Sequence, residues 1–422
     1  MRFRFPHFAE NPRWRIACAL ALAGVLLIPA GMKYLGWRAE VRDSSPAKPE
    51  AASNARAGGN AAAHSAAQPA GASQEPAKRA GVDASNFYKN AFVLCAALTD
   101  DEKKMFRQPP AEADADKAAA LFKKIQPILE LLRQAAEADY CEWGLGEVNF
   151  ETPMPQISKV IELGRLAQWS AGYRFPSDPQ GALGDLSAQA RLGGHVADSV
   201  IGWLVQVSLE TGANKVLSQN AGMLDEAATR QVRELLQSSS IEENIARAFA
   251  TESAGVEAMA GKLAALTPAE RTKLFQTFSN PSVEDANPAL RRFLESDAAM
   301  NAEFQYLRQI ERQLAEAMQW PEARYQAWWK SVENRMPEHP LAAVTLPALT
   351  SLRTSLQRTQ VERAMLNAGL TLLQSGPEQF AQFRDPVINA PFSYVEKPDG
   401  FELRSAFKKN GEPVTMSFTL PR

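Results

Sequence analysis

Residues 114–137 read DADKAAALFKKIQPILELLRQAAE. Ala118, Leu121, Ile125, Ile128, Leu129 and Leu132 recur every three or four positions, which puts them on one face of a helix. Asp114 stands where an N-cap belongs, and Pro127 inside the run predicts a kink or break. The same period extends in both directions. Upstream, Ser85-Asn86 can cap a helix through FYKNAFVLCAAL. Downstream, a helix is expected from Met154, with Ile157, Val160, Ile161 and Leu166 on one face. Further helices are expected over 179–195, 197–217, 224–237, 240–263, 267–278, 288–318, 321–335, 340–356 and 358–374. Pro268, Pro281, Pro288, Pro321, Pro337, Pro340 and Gly376 fall between them or in their first turns. The expected fold is mainly α, with an antiparallel helical array over 85–383.

Residues 166–195, LAQWSAGYRFPSDPQGALGDLSAQARLGGH, look like one tetratricopeptide-type hairpin turning at Pro176-Ser177-Asp178. No second copy follows at a period of about 34 residues. A solenoid and an irregular bundle therefore both stay open.

After Asp385-Pro386 the period changes to two. Phe392-Ser393-Tyr394-Val395 reads as a strand and Asp399-Gly400 as a hairpin turn. Phe401, Leu403 and Ser405 alternate with Glu402 and Arg404. After Asn410-Gly411, Val414, Met416, Phe418 and Leu420 alternate with Thr415, Ser417 and Thr419. A small three-stranded β-meander is expected over 384–422, packed on the helices because it would be marginal alone.

At the other end, Arg2, Arg4, Arg13 and Arg15 face a single Glu10, and residues 16–32, IACALALAGVLLIPAGM, carry no charge. Trp14 to Leu35 is long enough to cross a hydrocarbon core of about 30 Å at about 1.5 Å per residue. Lys33 can snorkel, and Trp14, Tyr34 and Trp37 suit the two interfaces. Residues 1–15 are expected in the cytoplasm, 16–35 as a transmembrane anchor and 36–84 as a disordered linker rich in Ala, Ser, Gly and Pro. About 46 residues of it, over 39–84, reach roughly 40 Å. A cleaved signal peptide and a buried soluble helix are the rival readings of the apolar run, but no clear A-x-A site follows it.

Net charge is −2 over 422 residues, without the basic excess of a nucleic-acid binder, so no nucleic-acid partner is expected. Three cysteines exclude a disulfide-dense scaffold and a multi-cysteine zinc module. Cys95 and Cys141 can pair in an oxidising compartment or stay as two buried thiols. His7 and His64 precede the helical region, leaving His195 and His339 within it. Zincin, nucleophile-elbow, Walker and dinucleotide motifs are missing, so no catalytic, cofactor-binding or metal-ligating residue is assigned. His195 and His339 suit caps or loops better than catalysis. Asp100-Asp101-Glu102 and Glu242-Glu243 sit at helix starts, where they favour the helix dipole. Tyr325, Trp328 and Trp329, spaced i, i+3, i+4, are either a binding-surface platform or core.

Three stretches carry a resemblance. They are CEWG at 141–144 with the helix over 155–172, HPLAAVTLPAL at 339–349, and RDPVINAPFSYVEKPDGFELRSAF at 384–407. Together, over roughly 140–422, they resemble a family of membrane-anchored bacterial helical proteins with no assigned activity. The tail alone resembles the C-terminal end of type II secretion pseudopilins, with its D-P…P-Y…F-x-L-x-S pattern. The chain departs from pseudopilins in lacking a prepilin-type cleavage motif and an acidic, glycine-containing ending. The resemblance implies an architecture and transfers no catalytic residue.

The expected function is a membrane-tethered, extracytoplasmic binding or scaffold module of the bacterial cell envelope. It would sit in the inner membrane, with the lipid bilayer and an envelope protein or peptide as partners. One alternative is an envelope enzyme acting on peptidoglycan or polysaccharide through carboxylates, which predicts a deep cleft with convergent Asp/Glu of raised pKa. Another is an accessory component of a secretion or pilus system.

Overall fold

A computed structural model describes residues 81–144, 156–238, 240–278, 288–409 and 411–420. The expected anchor at 16–35 and nearly all of the expected linker lie outside them. Among the described residues no helix is long and apolar enough to cross a membrane.

The chain is mainly helical and ends in a three-stranded antiparallel sheet. Its helices are α1 (Ala84–Ala96), α2 (Asp100–Met105), α3 (Ala115–Ala136), α4 (Gln156–Arg174), α5 (Pro179–Val196), α6 (Val200–Gln219) and α7 (Glu226–Ser238). They continue as α8 (Ile241–Ala264), α9 (Pro268–Phe278), α10 (Pro288–Glu295), α11 (Asp297–Ala317), α12 (Glu322–Arg335), α13 (Pro340–Ser375) and α14 (Pro377–Phe380). The start of α3 follows the expectation, since the Asp114 carboxylate accepts from Lys117 N at 3.0 Å. Its predicted apolar face is buried. Of the kink or break expected at Pro127, a break does not occur, since α3 runs through it.

Two further boundaries differ. The single helix expected over 288–318 is divided at Ser296, whose hydroxyl caps α11 by accepting from Ala299 N. The two helices expected over 340–374 are one, α13. Nothing at Gln357-Arg358 breaks a helix, and Arg358 pairs with Glu362 one turn on at 2.6 Å. The short α2 begins at Asp100, the helix start expected from the Asp100-Asp101-Glu102 cluster. Thr99 and Glu102 close a capping box around it, which accounts for the Asp100-Asp101-Glu102 cluster.

Helix α6 organises the array. It packs against α4, α5, α8, α13 and the sheet. Val205 and Leu209 enter the core formed by α1, α3 and α4. Val200, Trp203 and Val207 enter the core shared with α8, α10, α11 and α12. Ala213 and Leu217 enter a third core under the sheet. A helix buried on several sides has apolar residues all round rather than one stripe, as VIGWLVQV does. Trp203 is fully buried, and its indole N–H donates to Ile241 O at 2.9 Å. The hairpin over 166–195 forms as α4 and α5, one of the closest-packed helix pairs.

The sheet comprises β1 (Ser393–Lys397), β2 (Gly400–Lys409) and β3 (Glu412–Thr419) in the order β1-β2-β3. The alternation read from the sequence is observed up to Phe418, whereas Leu420 lies beyond the end of β3 and is exposed. Phe401, Leu403, Ser405, Val414, Met416 and Phe418 are buried. Phe401 pairs with Phe418 across the strands, with ring centroids 4.7 Å apart. Gly400 has φ +157°, a conformation reserved for glycine. Gly369 of α13 lies under the Phe418 ring so closely that a Cβ there would stand 2.1 Å from it. Gly369→Val is expected to lift the sheet from α13 and cost about 1–3 kcal/mol, read as a lower urea midpoint at unchanged helical content.

Candidate functional site

Two cavities adjoin at Leu236, one lined by α13 and the other by α6. The larger, about 730 Å³, lies between the end of α7, the α11–α12 turn, α13 and Pro386-Val387. The smaller, about 370 Å³, lies between α5, α6, the start of α8 and the loop carrying Cys141. Leu236 lines both. Arg363 of the larger cavity is bonded to both carboxylate oxygens of Glu210, which lines the smaller. This ion pair forms the partition, and Arg363 Nη1 also meets Glu242 at 3.3 Å. Burial works against the Arg363 charge, but Glu210 and Glu242 outweigh it and raise its pKa.

Arginines and carboxamides dominate the polar wall of the larger cavity. Arg353 is almost fully buried. Its Nη1 donates to Ala317 O and Met318 O, and its Nη2 to Trp320 O and Glu322. It thereby satisfies carbonyls that the end of α11 leaves without helical partners. Arg233 bonds to neutral groups, Thr371 Oγ1 at 3.0 Å and Gln374 Oε1 at 3.4 Å. Burial raises the Glu322 carboxyl, but bonds from Gln326, Arg353 and Gln357 outweigh it and leave its pKa lowered.

The aromatic trio stays in contact, with ring centroids 5.7 Å apart for Tyr325–Trp328 and 6.0 Å for Trp328–Trp329. Tyr325 is buried under the Arg353 guanidinium, 4.1 Å from its ring centroid. Trp328 and Trp329 are half-buried against the same core, and Trp328 Nε1 donates to Gln313 at 3.0 Å. The three do not form an open platform. Trp320, outside the expected set, is the aromatic residue lining the larger cavity, with Arg324 stacked 3.9 Å from its ring centroid.

Cys95 and Cys141 are free thiols in the structure. Burial pushes both up to about 12, so neither is a thiolate near pH 7. His195 closes the last turn of α5, and its Nδ1 lies 2.8 Å from the Tyr88 hydroxyl. Burial, helped by Arg191 and Arg247, lowers His195 to about 4, while burial raises the Tyr88 phenol. Two neutral groups sharing one hydrogen bond make a packing contact; a general base would need a pKa nearer the working pH. The Trp143 indole reinforces the contact by donating to His195 O at 2.8 Å and stacking on Tyr88. His339 caps no amide itself. Its Nδ1 meets Glu303, which also accepts from Leu341 N and Ala342 N at the start of α13.

Three carboxylic acids among the described residues have raised pKa values: Asp185 of α5, where burial outweighs the bonds from Ser170 and Arg133, and the pair Glu311 and Glu252. Glu311 of α11 is 5% exposed, and Oε2 has no hydrogen-bond partner. Burial, then the charge of Glu252, pushes it up to about 8. Glu252 of α8 accepts from Val200 N at the N-terminus of α6, at 3.2 Å. Burial raises it too. The pair lies at the α8–α11 interface and lines neither cavity. Among the described residues no group of three or more His, Cys, Asp or Glu could hold a metal ion.

Sequence reasoning missed Arg363, Glu210, Glu311 and the carboxamides of the smaller cavity. Arg363 and Glu210 are 153 positions apart, and no local pattern links them. No known family model, curated protein or solved structure matches the chain.

Proposed function

We propose that the protein is a membrane-tethered binding module of the bacterial cell envelope, with its helical array outside the cytoplasm. The observation that carries the reading is the pair of adjoining cavities partitioned by Arg363–Glu210 and lined by arginines and carboxamides. Such a wall offers many fixed hydrogen-bonding groups for recognition. The groups suited to chemistry lie elsewhere or are set wrongly. The raised carboxylates are in helix interfaces, both thiols are held protonated, and His195 is held neutral. The apolar run at 16–32 supports the tether, and the Ala/Ser/Gly/Pro-rich stretch after it supports a reach of roughly 40 Å. The ligand fitting this reading is an envelope protein or peptide.

Light cross-linking of the full-length protein in the intact envelope, followed by capture and mass spectrometry, tests the proposal. A reproducible stoichiometric partner is expected. Recovery of the protein alone, from the cytoplasmic fraction, would overturn it.

A further inference from the structure

The smaller cavity contains more polar capacity than the fold itself uses. Gln189 of α5 and Asn214 of α6 are each 1% exposed, and both line it. Gln189 Nε2 donates to Leu209 O at 2.7 Å, which fixes the carboxamide and leaves Oε1 as an unpartnered acceptor. Asn214 Nδ2 is an unpartnered donor. Burying a polar group without a partner is unfavourable, so native structures seldom leave one. Here one donor and one acceptor, from two helices, stand around one cavity. Two more carboxamides in the same wall satisfy each other, with Asn244 Nδ2 donating to Gln206 Oε1 at 2.9 Å.

The surplus is therefore one amide nitrogen and one amide oxygen, which can meet the C=O and the N–H of a secondary amide. Arg247 pairs with Asp198 at 2.8 Å, and Glu210 pairs with Arg363. The two other charged lining residues engage backbone groups, with Arg191 Nε donating to Ala136 O and the Asp139 carboxylate accepting from Val82 N. They are of opposite sign, so the wall presents no net charge to an ionic ligand. Tyr140 is the lining residue with a benzene-type ring, and the apolar lining is otherwise mainly Ala, Leu and Gly. That favours a peptide over a sugar, which is commonly read on aromatic faces.

We propose that this cavity binds the main chain of an uncharged peptide segment, with Asn214 donating to a peptide carbonyl and Gln189 accepting from a peptide N–H. The proposal rests on the binding-module reading and names its ligand class. Its volume of about 370 Å³ falls in the range of small-ligand sites. Both carboxamide atoms are buried, and binding requires rotation about the last side-chain bond, a torsion with broad minima.

The test is a calorimetric titration of the full-length protein in detergent with N-acetyl-trialanine N-methylamide. Its ester-for-amide analogue and an N-acetylglucosamine trimer are the comparison ligands. Saturable one-to-one binding of the peptide is expected, weakened about tenfold in the ester analogue and in Asn214→Ala. Gln189→Met, which keeps the length of the side chain, should weaken it similarly. No saturable peptide binding, wild-type affinity in both variants, or preference for the sugar would each overturn the assignment. If the envelope cross-linking captures a partner while the titration fails, the cavity assignment falls alone. If both fail, the binding-module reading falls with it.

Discussion

Glu311→Gln is expected to make the protein more stable at pH 9 by about 3 kcal/mol and to leave it nearly unchanged at pH 4. In the folded protein the Glu311 carboxyl titrates at about 8, against 4.5 for the free side chain. Folded molecules therefore hold a proton between those values that unfolded molecules have released. Stability falls with pH wherever the folded state binds more protons. The contribution is complete below about 4.5 and is lost as pH rises through about 8. Each pH unit of displacement corresponds to about 1.4 kcal/mol, and some relaxation around the charge brings the full sum down to about 3. Glu252 pushes in the same direction, although Val200 N at the start of α6 partly offsets its burial. Urea unfolding of wild type and variant at pH 4, 7 and 9 checks this. A variant advantage that stays constant across the three would contradict the assignment of the proton to Glu311.

Asp385→Ala is expected to cost about 3–5 kcal/mol and to free the sheet from the helices. Asp385 is 1% exposed. Its Oδ1 accepts from Val387 N at 2.7 Å and Ile388 N at 3.1 Å, and its Oδ2 accepts from the Ser405 hydroxyl on β2. Its own amide donates to Ala390 O, and its carbonyl accepts from Asn389 N, which stands at φ +53°. One side chain thus closes the 385–390 loop and fastens it to the sheet. Truncating it leaves two amides and a hydroxyl in place without their acceptor, at about 1–3 kcal/mol for each group that stays buried. Because Pro386 and Val387 line the larger cavity, the same loss should open that wall. Limited proteolysis should cut the variant within 384–392 far faster than wild type. Asp385→Asn, which keeps an acceptor, should fall between them. Unchanged proteolysis and an unfolding free energy within about 0.5 kcal/mol of wild type would contradict this role.

The elements were legible where period and punctuation agree. Asp114 and Asp178 each open a helix as caps, and the Asp399-Gly400 turn with its flanking alternation sets the register Lys397↔Gly400 and Phe401↔Phe418. Pro127 does not divide α3, because burial of Ile125, Ile128, Leu129 and Leu132 on one face holds the helix across it. The division at Ser296 was missed because a single capping serine inside an apolar period leaves that period unbroken.

The candidate site was barely legible. Arg363, Glu210 and Glu242 come from three helices, and Gln189 and Asn214 are unremarkable as residue types. Only the packing of α5, α6, α8 and α13 makes them neighbours. The Tyr325, Trp328 and Trp329 spacing did mark a helix face, but that face is applied to the core and to Arg353.

The most direct test of a ligand-binding face at the two cavities is site-specific photo-cross-linking in intact cells. The photoreactive residue would replace Gln237 or Gln319, both exposed at the larger cavity, or Lys123, exposed on α3 and lining neither cavity. The predicted result is one discrete adduct from positions 237 and 319 and none from 123. Adducts of equal yield from all three positions, or from 123 alone, would contradict it.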